Sequence, residues 1–162
     1  MERIPMFRAL ALVVAATLVV SACAAGPATT GSPGTTGSPG GATNVTVTLQ
    51  EWSVGATPAT AKAGTVKFTV TNQGPDDVHE FVVIKTDLSL VALPTDAAGA
   101  VDEAGGAMTV VDEIEDIPVG TTQELTVTLQ PGAYVLICNI FDEGENEAHY
   151  QEGMRNSFTV TP

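Results

Sequence analysis

Apolar residues occupy every second position in several short runs that begin near residue 44 and continue to the end of the chain. Polar residues, chiefly Thr, Lys, Gln and Glu, fill the positions between them. A period of two places the apolar side chains of a β-strand on one face, where a second sheet can bury them. The runs of this kind span residues 45–49, 66–70, 125–129 and 158–160.

Two other runs, residues 81–84 and 134–137, are apolar without interruption, as expected for strands in the middle of a fold. Segments rich in Gly and Pro, such as residues 72–75 and 131–132, separate the runs and indicate turns. About seven strands with almost no helical periodicity predict an all-β domain, a sandwich or small barrel, over residues 44–162. Residues 88–106 are the least regular part, compatible with a long loop or a short helix.

The first 22 residues have the pattern of a secretory signal peptide, with Arg3 and Arg8 before an apolar run that ends in Ser21 and Ala22. The segment that ends at Cys23 resembles the bacterial lipobox, which implies that Cys23 becomes the lipidated first residue of the mature chain. Two or more acyl chains would anchor the protein stably to a membrane. We therefore expect an extracytoplasmic protein of the cell envelope.

Residues 23–43 combine this cysteine with a stretch of Ala, Gly, Pro, Ser and Thr that contains the hexapeptide Thr-Thr-Gly-Ser-Pro-Gly twice. Such a composition is typical of a flexible tether, and 20 residues of Gly-rich coil separate their ends by about 25 Å on average. The sequence thus predicts a tethered domain that stays near the membrane and can reorient towards partners.

The charge of the chain limits its partners. It has 19 acidic and 6 basic residues and a formal net charge of −13. Nucleic acid and bare anionic lipid would be repelled, whereas a protein with a basic surface would be attracted.

Four side chains form a set of soft metal ligands. One of them lies near the start of a predicted strand, and the other three lie in residues 138–154. His79 and His149 are the only histidines, and Cys138 is the only cysteine beyond Cys23. Met154 follows His149 by five positions. A lone thiol in an oxidising compartment is open to damage unless a metal ion holds it. Two imidazoles, a thiolate and a thioether suit copper, while zinc gains little from a thioether.

With these residues in view, most of residues 44–162 resembles the cupredoxin family. The resemblance rests on the segments 77–81, 131–138 and 149–154, which carry the two histidines, the cysteine and the methionine. It implies a Greek-key β-sandwich with one type 1 copper ion. It also implies that His79, Cys138 and His149 are the strong ligands and that Met154 is the weak axial one.

Two features depart from the family's usual pattern. Ten residues, 139–148, separate Cys138 from His149, and four of them are acidic. These carboxylates either form a solvated acidic rim or include an axial competitor of Met154, for which Glu147 is the nearest candidate. Glu80 also follows the first histidine where many relatives have a small amide or hydroxyl residue, which changes the hydrogen bonding expected around the thiolate.

The sequence therefore favours a membrane-anchored one-electron carrier, not an enzyme, that works as a monomer. In this hypothesis His149 presents a partly exposed edge for the electron, and the acidic loop steers a basic redox partner, a cytochrome or an oxidase. The alternative function is copper delivery or storage, although the mature chain has only Met108 and Met154 as methionines. A metal-free adhesion or scaffold sandwich is a third hypothesis.

Overall fold

The computed structural model describes residues 41–162, which contain eleven strands and one short helix. The predicted signal peptide, Cys23 and most of the tether lie outside the described residues. The strands are β1 (Thr43–Gln50), β2 (Ser53–Thr57), β3 (Thr60–Lys62), β4 (Gly64–Asn72), β5 (His79–Lys85), β6 (Thr109–Ile117), β7 (Thr122–Leu129), β8 (Gly132–Ile137), β9 (Phe141–Asp142), β10 (Glu147–Ala148) and β11 (Arg155–Thr161), and helix α1 is His149–Glu152.

Two sheets form a β-sandwich, as the period-two runs predicted. One sheet has the strand order β2-β1-β4-β7, and the other has the order β3-β11-β8-β5-β6. Most neighbours are antiparallel, but β1 pairs with β4 and β3 pairs with β11 in parallel. Eight strands have five or more residues, close to the seven expected, and the other three are too short to show a periodicity.

The core is built from the residues that alternate in sequence. The burial patterns of β1, β4 and β7 alternate between buried and more exposed positions. Phe68 of β4 lies at the centre, with its ring centroid 5.3 Å from that of Phe81 and 5.6 Å from that of Phe158. Phe81 and Phe158 belong to the opposite sheet, so this aromatic cluster joins the two layers.

The pairing of β5 with β8 determines where the predicted ligands lie. The two strands are antiparallel neighbours, with Val82 opposite Ile137 and Ile84 opposite Val135. His79 is the first residue of β5, and Cys138 directly follows β8. Because antiparallel strands bring the start of one next to the end of the other, both side chains come to the same pole of the sandwich.

The irregular segment 88–106 is a loop with turns and contains no helix. An isolated bridge between Thr95 and Val101 is its only regular pairing within the described part of the chain. The hydroxyl of Tyr150 donates to the carbonyl of Leu90 at 3.0 Å and accepts from the N–H of Leu93 at 3.3 Å. These bonds hold the loop against α1, next to His149.

No helix within residues 41–162 is both long enough and apolar enough to cross a membrane.

The aromatic cluster should account for a large part of the stability of the domain. Replacing Phe68 by Ala removes a fully buried ring and is expected to lower the free energy of unfolding by about 3–5 kcal/mol in urea titrations. Val91→Ala is the control, since Val91 is 65% exposed and its loss should change the free energy by less than about 0.5 kcal/mol. Similar losses for the two variants would contradict this account of the core.

Candidate metal centre

Three nitrogen and sulfur atoms converge at this pole. Nδ1 of His79 lies 3.3 Å from Nδ1 of His149, and the Cys138 Sγ lies 3.3 Å from the His149 Nδ1 and 3.9 Å from the His79 Nδ1. All three side chains are buried. The structure thus brings together three residues that are 59 and 11 positions apart in sequence. Their assignment as metal ligands remains a prediction.

The backbone around Cys138 holds the sulfur in place. The N–H of Glu80 donates to Sγ at 3.2 Å, across the β5–β8 pairing. The N–H of Cys138 donates to the carbonyl of Met154 at 3.1 Å. This bond uses the backbone of Glu80 and not its side chain. The thiol therefore has a backbone donor within reach, although Glu80 stands where many cupredoxins have a small amide or hydroxyl residue.

The long segment between Cys138 and His149 forms a small hairpin. Strands β9 and β10 pair across it, and the Asp142 carboxylate accepts the N–H groups of Gly144 and Glu145 at the turn. Glu143 and Glu145 are exposed, as expected for a solvated acidic rim. Glu147 is not among the described side chains whose ligand atoms converge with those of the histidines and the cysteine.

Met154 is completely buried in the same core cluster as Cys138. Its N–H donates to the carbonyl of His149 at 3.0 Å, which closes the turn after α1. Gly153 makes this turn possible, because its φ of +131° is rarely adopted by other residues and a Cβ there would lie 3.0 Å from the carbonyl oxygen of Trp52. The structure therefore places Met154 beside the cysteine through backbone contacts.

The prediction that His149 has a partly exposed edge is wrong. The residue is only 1% exposed, and the Trp52 ring packs edge-on against it with 5.0 Å between ring centroids. Trp52 comes from the turn between β1 and β2, and no sequence pattern near the histidines indicates this contact. The imidazole is therefore covered by neighbouring atoms of the protein.

Burial keeps all three side chains in their neutral forms. Burial raises the pKa of the Cys138 thiol to about 12, although the N–H of Glu80 opposes the shift. Burial also lowers the pKa of His79, with a further contribution from the neighbouring His149, and it lowers the pKa of His149. Two neutral imidazoles are ready to donate lone pairs, while the thiol must first lose its proton.

An acidic cleft lies above His149. Its lining includes four aspartates, of which two come from the turn before β5, one from the end of β6 and one from the 139–148 hairpin. The apolar residues Val78 and Ile140 also line it, and Val78 is 43% exposed. The lining residues are Asp76, Asp77, Val78, Asp116, Ile140, Asp142 and His149. The acidic character predicted for the 139–148 loop thus extends over the pole.

Glu51 is a site residue that sequence reasoning missed. Its Oε1 lies 3.4 Å from Nε2 of His79, on the side of the imidazole opposite the converging atoms. The same oxygen accepts the N–H groups of Asp77 at 2.8 Å and Asp76 at 3.3 Å. Burial raises the pKa of Glu51, but these donors and the nearby imidazole outweigh it and hold the pKa below its ordinary value. No spacing in the sequence connects this turn with a histidine 28 positions later.

No protein-family model matches this sequence, and no curated protein matches it. Solved structures are similar to it in fold. Auracyanin from Roseiflexus castenholzii is 21% identical with a TM-score of 0.53, and the match covers 75% of this chain and 98% of that one. Auracyanin A from Chloroflexus aurantiacus, described as a "blue" copper protein, is 20% identical over 75% and 100% of the two chains, with a TM-score of 0.52.

Rusticyanin from Thiobacillus ferrooxidans is 19% identical with a TM-score of 0.50, over 73% of this chain and 76% of that one. At these identities the likeness shows the fold, and it agrees with the resemblance that the histidine, cysteine and methionine segments indicated. The described domain therefore has the cupredoxin fold, with His79, Cys138, His149 and Met154 gathered at one pole.

Proposed function

We propose that this protein is a one-electron carrier with a single type 1 copper ion. The observation that carries the proposal is the convergence of two imidazole Nδ1 atoms and one thiol sulfur, within 3.3–3.9 Å of one another, in a buried place. Two histidines and a cysteine with a weak methionine are the ligand set of blue-copper sites. His79, Cys138 and His149 would hold the ion, and Met154 would be the axial ligand. Copper there would gain and lose one electron without breaking a substrate bond.

The chain's own contribution is to keep the ligands fixed and dry. The N–H of Glu80 fixes the sulfur, the Met154 carbonyl fixes the backbone of Cys138, and Gly153 shapes the turn that carries His149 and Met154. Such contacts limit how far the ligands move when the charge of the site changes. A small rearrangement favours rapid electron exchange over chemical conversion of a bound molecule.

Burial also distinguishes the carrier from copper delivery. A protein that hands over its metal needs ligands that an acceptor can reach, yet His79, Cys138 and Met154 are 0% exposed and His149 is 1% exposed.

Stopped-flow mixing separates the two functions, because a carrier exchanges electrons and keeps its copper whereas a delivery protein loses copper to the acceptor. Metal analysis of protein produced with copper tests the metal-free scaffold.

The place of action is also a proposal. The predicted signal peptide, lipidated Cys23 and tether support an envelope protein anchored to a membrane outside the cytoplasm. The acidic cleft above His149 supports a redox partner with a basic surface, such as a cytochrome or an oxidase. Such a partner would take electrons through the groups that cover His149, and a monomer suffices for this exchange.

The first test of the proposal is the colour of the copper-loaded protein. Cys138→Ser should abolish the intense visible absorption, because the hydroxyl cannot replace the thiolate bond to copper. Val83→Thr is the matched control, since it also places a hydroxyl in the buried core but leaves all four predicted ligands intact. Persistent colour in the serine variant would show that the ligand assignment is wrong.

Copper binding should also release protons. The thiol keeps its proton below its pKa of about 12, whereas both histidines have lowered pKa values and are already neutral at pH 8. We expect about one proton released per copper(II) at pH 8 and an affinity that rises about tenfold per pH unit there. Calorimetry in buffers of different ionisation enthalpy measures the number. Equal release by wild type and Cys138→Ser would contradict this prediction.

Docking of a basic partner should depend on the cleft. Asp116→Asn removes one carboxylate from the lining and is expected to lower the bimolecular electron-transfer rate with a basic cytochrome about twofold at low salt. Asp87→Asn is the control, because Asp87 follows the opposite end of β5 from His79. Added salt should bring the three rates together. Equal effects of the two variants would contradict docking at this pole.

A further inference from the structure

The outer side of His79 carries an arrangement that the ligand set alone does not explain. Its Nδ1 faces His149 and Cys138, so its Nε2 points away from them, towards Glu51. A histidine that binds a metal through one ring nitrogen keeps its proton on the other nitrogen, and that proton needs an acceptor. The group next to Nε2 therefore influences which tautomer His79 adopts.

Two buried side-chain atoms lack a hydrogen-bond partner among residues 41–162, and both belong to this contact. They are Nε2 of His79 and Oε2 of Glu51. A buried polar atom without a partner costs about 1–3 kcal/mol, so such atoms are rare in folded proteins. The nearer carboxylate oxygen, Oε1, is 3.4 Å from Nε2, longer than a good hydrogen bond but within ion-pair distance.

The turn between β1 and β2 is built to hold this carboxylate there. Oε1 accepts two backbone N–H groups from the segment before β5, those of Asp76 and Asp77. The next residue, Trp52, packs against His149, and its carbonyl lies close to Gly153. One turn thus contacts both imidazoles.

We propose that Glu51 is a positioning residue of the metal centre, whose carboxylate accepts the Nε2–H of His79. This contact aims the Nδ1 lone pair at the other ligands, because the opposite tautomer would place a lone pair against the carboxylate. A carboxylate close to the site also stabilises copper(II) more than copper(I), since the oxidised ion has the larger charge. Glu51 would therefore lower the reduction potential. This inference rests on the proposed function only for its effect on copper.

The first experiment uses the metal-free protein at neutral pH. Long-range proton–nitrogen correlation spectra identify the protonated nitrogen of each imidazole. Wild-type His79 should carry its proton on Nε2, and Glu51→Gln should mix the two tautomers, because a neutral amide oxygen accepts the Nε2–H less strongly than a carboxylate oxygen does. Glutamine keeps an oxygen for the N–H groups of Asp76 and Asp77, whose amide signals report whether the turn remains intact. A wild-type His79 protonated on Nδ1 overturns the proposal without need of any variant.

The second experiment measures dissociation constants for copper(II) and copper(I). Glu51→Gln should weaken copper(II) binding about 10- to 100-fold and copper(I) binding less. Each tenfold difference between the two corresponds to a rise of about 59 mV in the potential. Asp116→Asn is the charge control, since it removes a carboxylate from the cleft beside His149 and should change the ratio about twofold at most. An unchanged ratio in the glutamine variant, or an equal change in both variants, overturns the proposal.

The two proposals fail in distinguishable ways. Wild-type protein that binds no copper contradicts the electron carrier, while the tautomer of His79 in the metal-free protein still decides the role of Glu51. If the copper protein is coloured, but Glu51→Gln changes neither the tautomer of His79 nor the ratio of the copper(II) and copper(I) dissociation constants, only the role of Glu51 is contradicted.

Discussion

The antiparallel pairing of β5 with β8 is the constraint on which the proposed metal centre depends. It places the first residue of one strand, His79, beside the residue that follows the other, Cys138, and it lets the N–H of Glu80 reach the sulfur. The aromatic cluster around Phe68 fixes this sheet against the opposite one. A shift of register by one residue would turn the inward side chains of a strand outwards, so the packing of the core and the placement of the proposed ligands are specified together.

Burial gives the pole its chemical character. The thiol holds its proton and the imidazoles stay neutral because charged forms are costly away from water. A metal ion changes that balance, since it replaces the thiol proton and neutralises the sulfur's charge. The Trp52 ring covers His149 and so helps to separate the proposed ion from solvent. An acidic cleft lies above this covered site.

Loops as well as strands shape this pole of the domain. The ten residues between Cys138 and His149 form a hairpin that adds exposed acidic groups, and Tyr150 binds the irregular 88–106 segment to the helix that carries His149. Glu51 and Trp52 reach both imidazoles from a turn in the other sheet. The positions of the proposed ligand residues therefore depend on three connecting segments as well as on the two strands.

The sequence by itself determined the all-β sandwich, because alternating side chains such as Val66, Phe68 and Val70 can be buried together only on one face of a strand. It also singled out His79, Cys138, His149 and Met154, since few residue types bind soft metals and this chain has few of them. Only the tertiary structure decided that His149 is covered and that Glu51 stands behind His79. These contacts join segments from different sheets, and their geometry depends on how the two layers pack. A local sequence pattern carries no information about that packing.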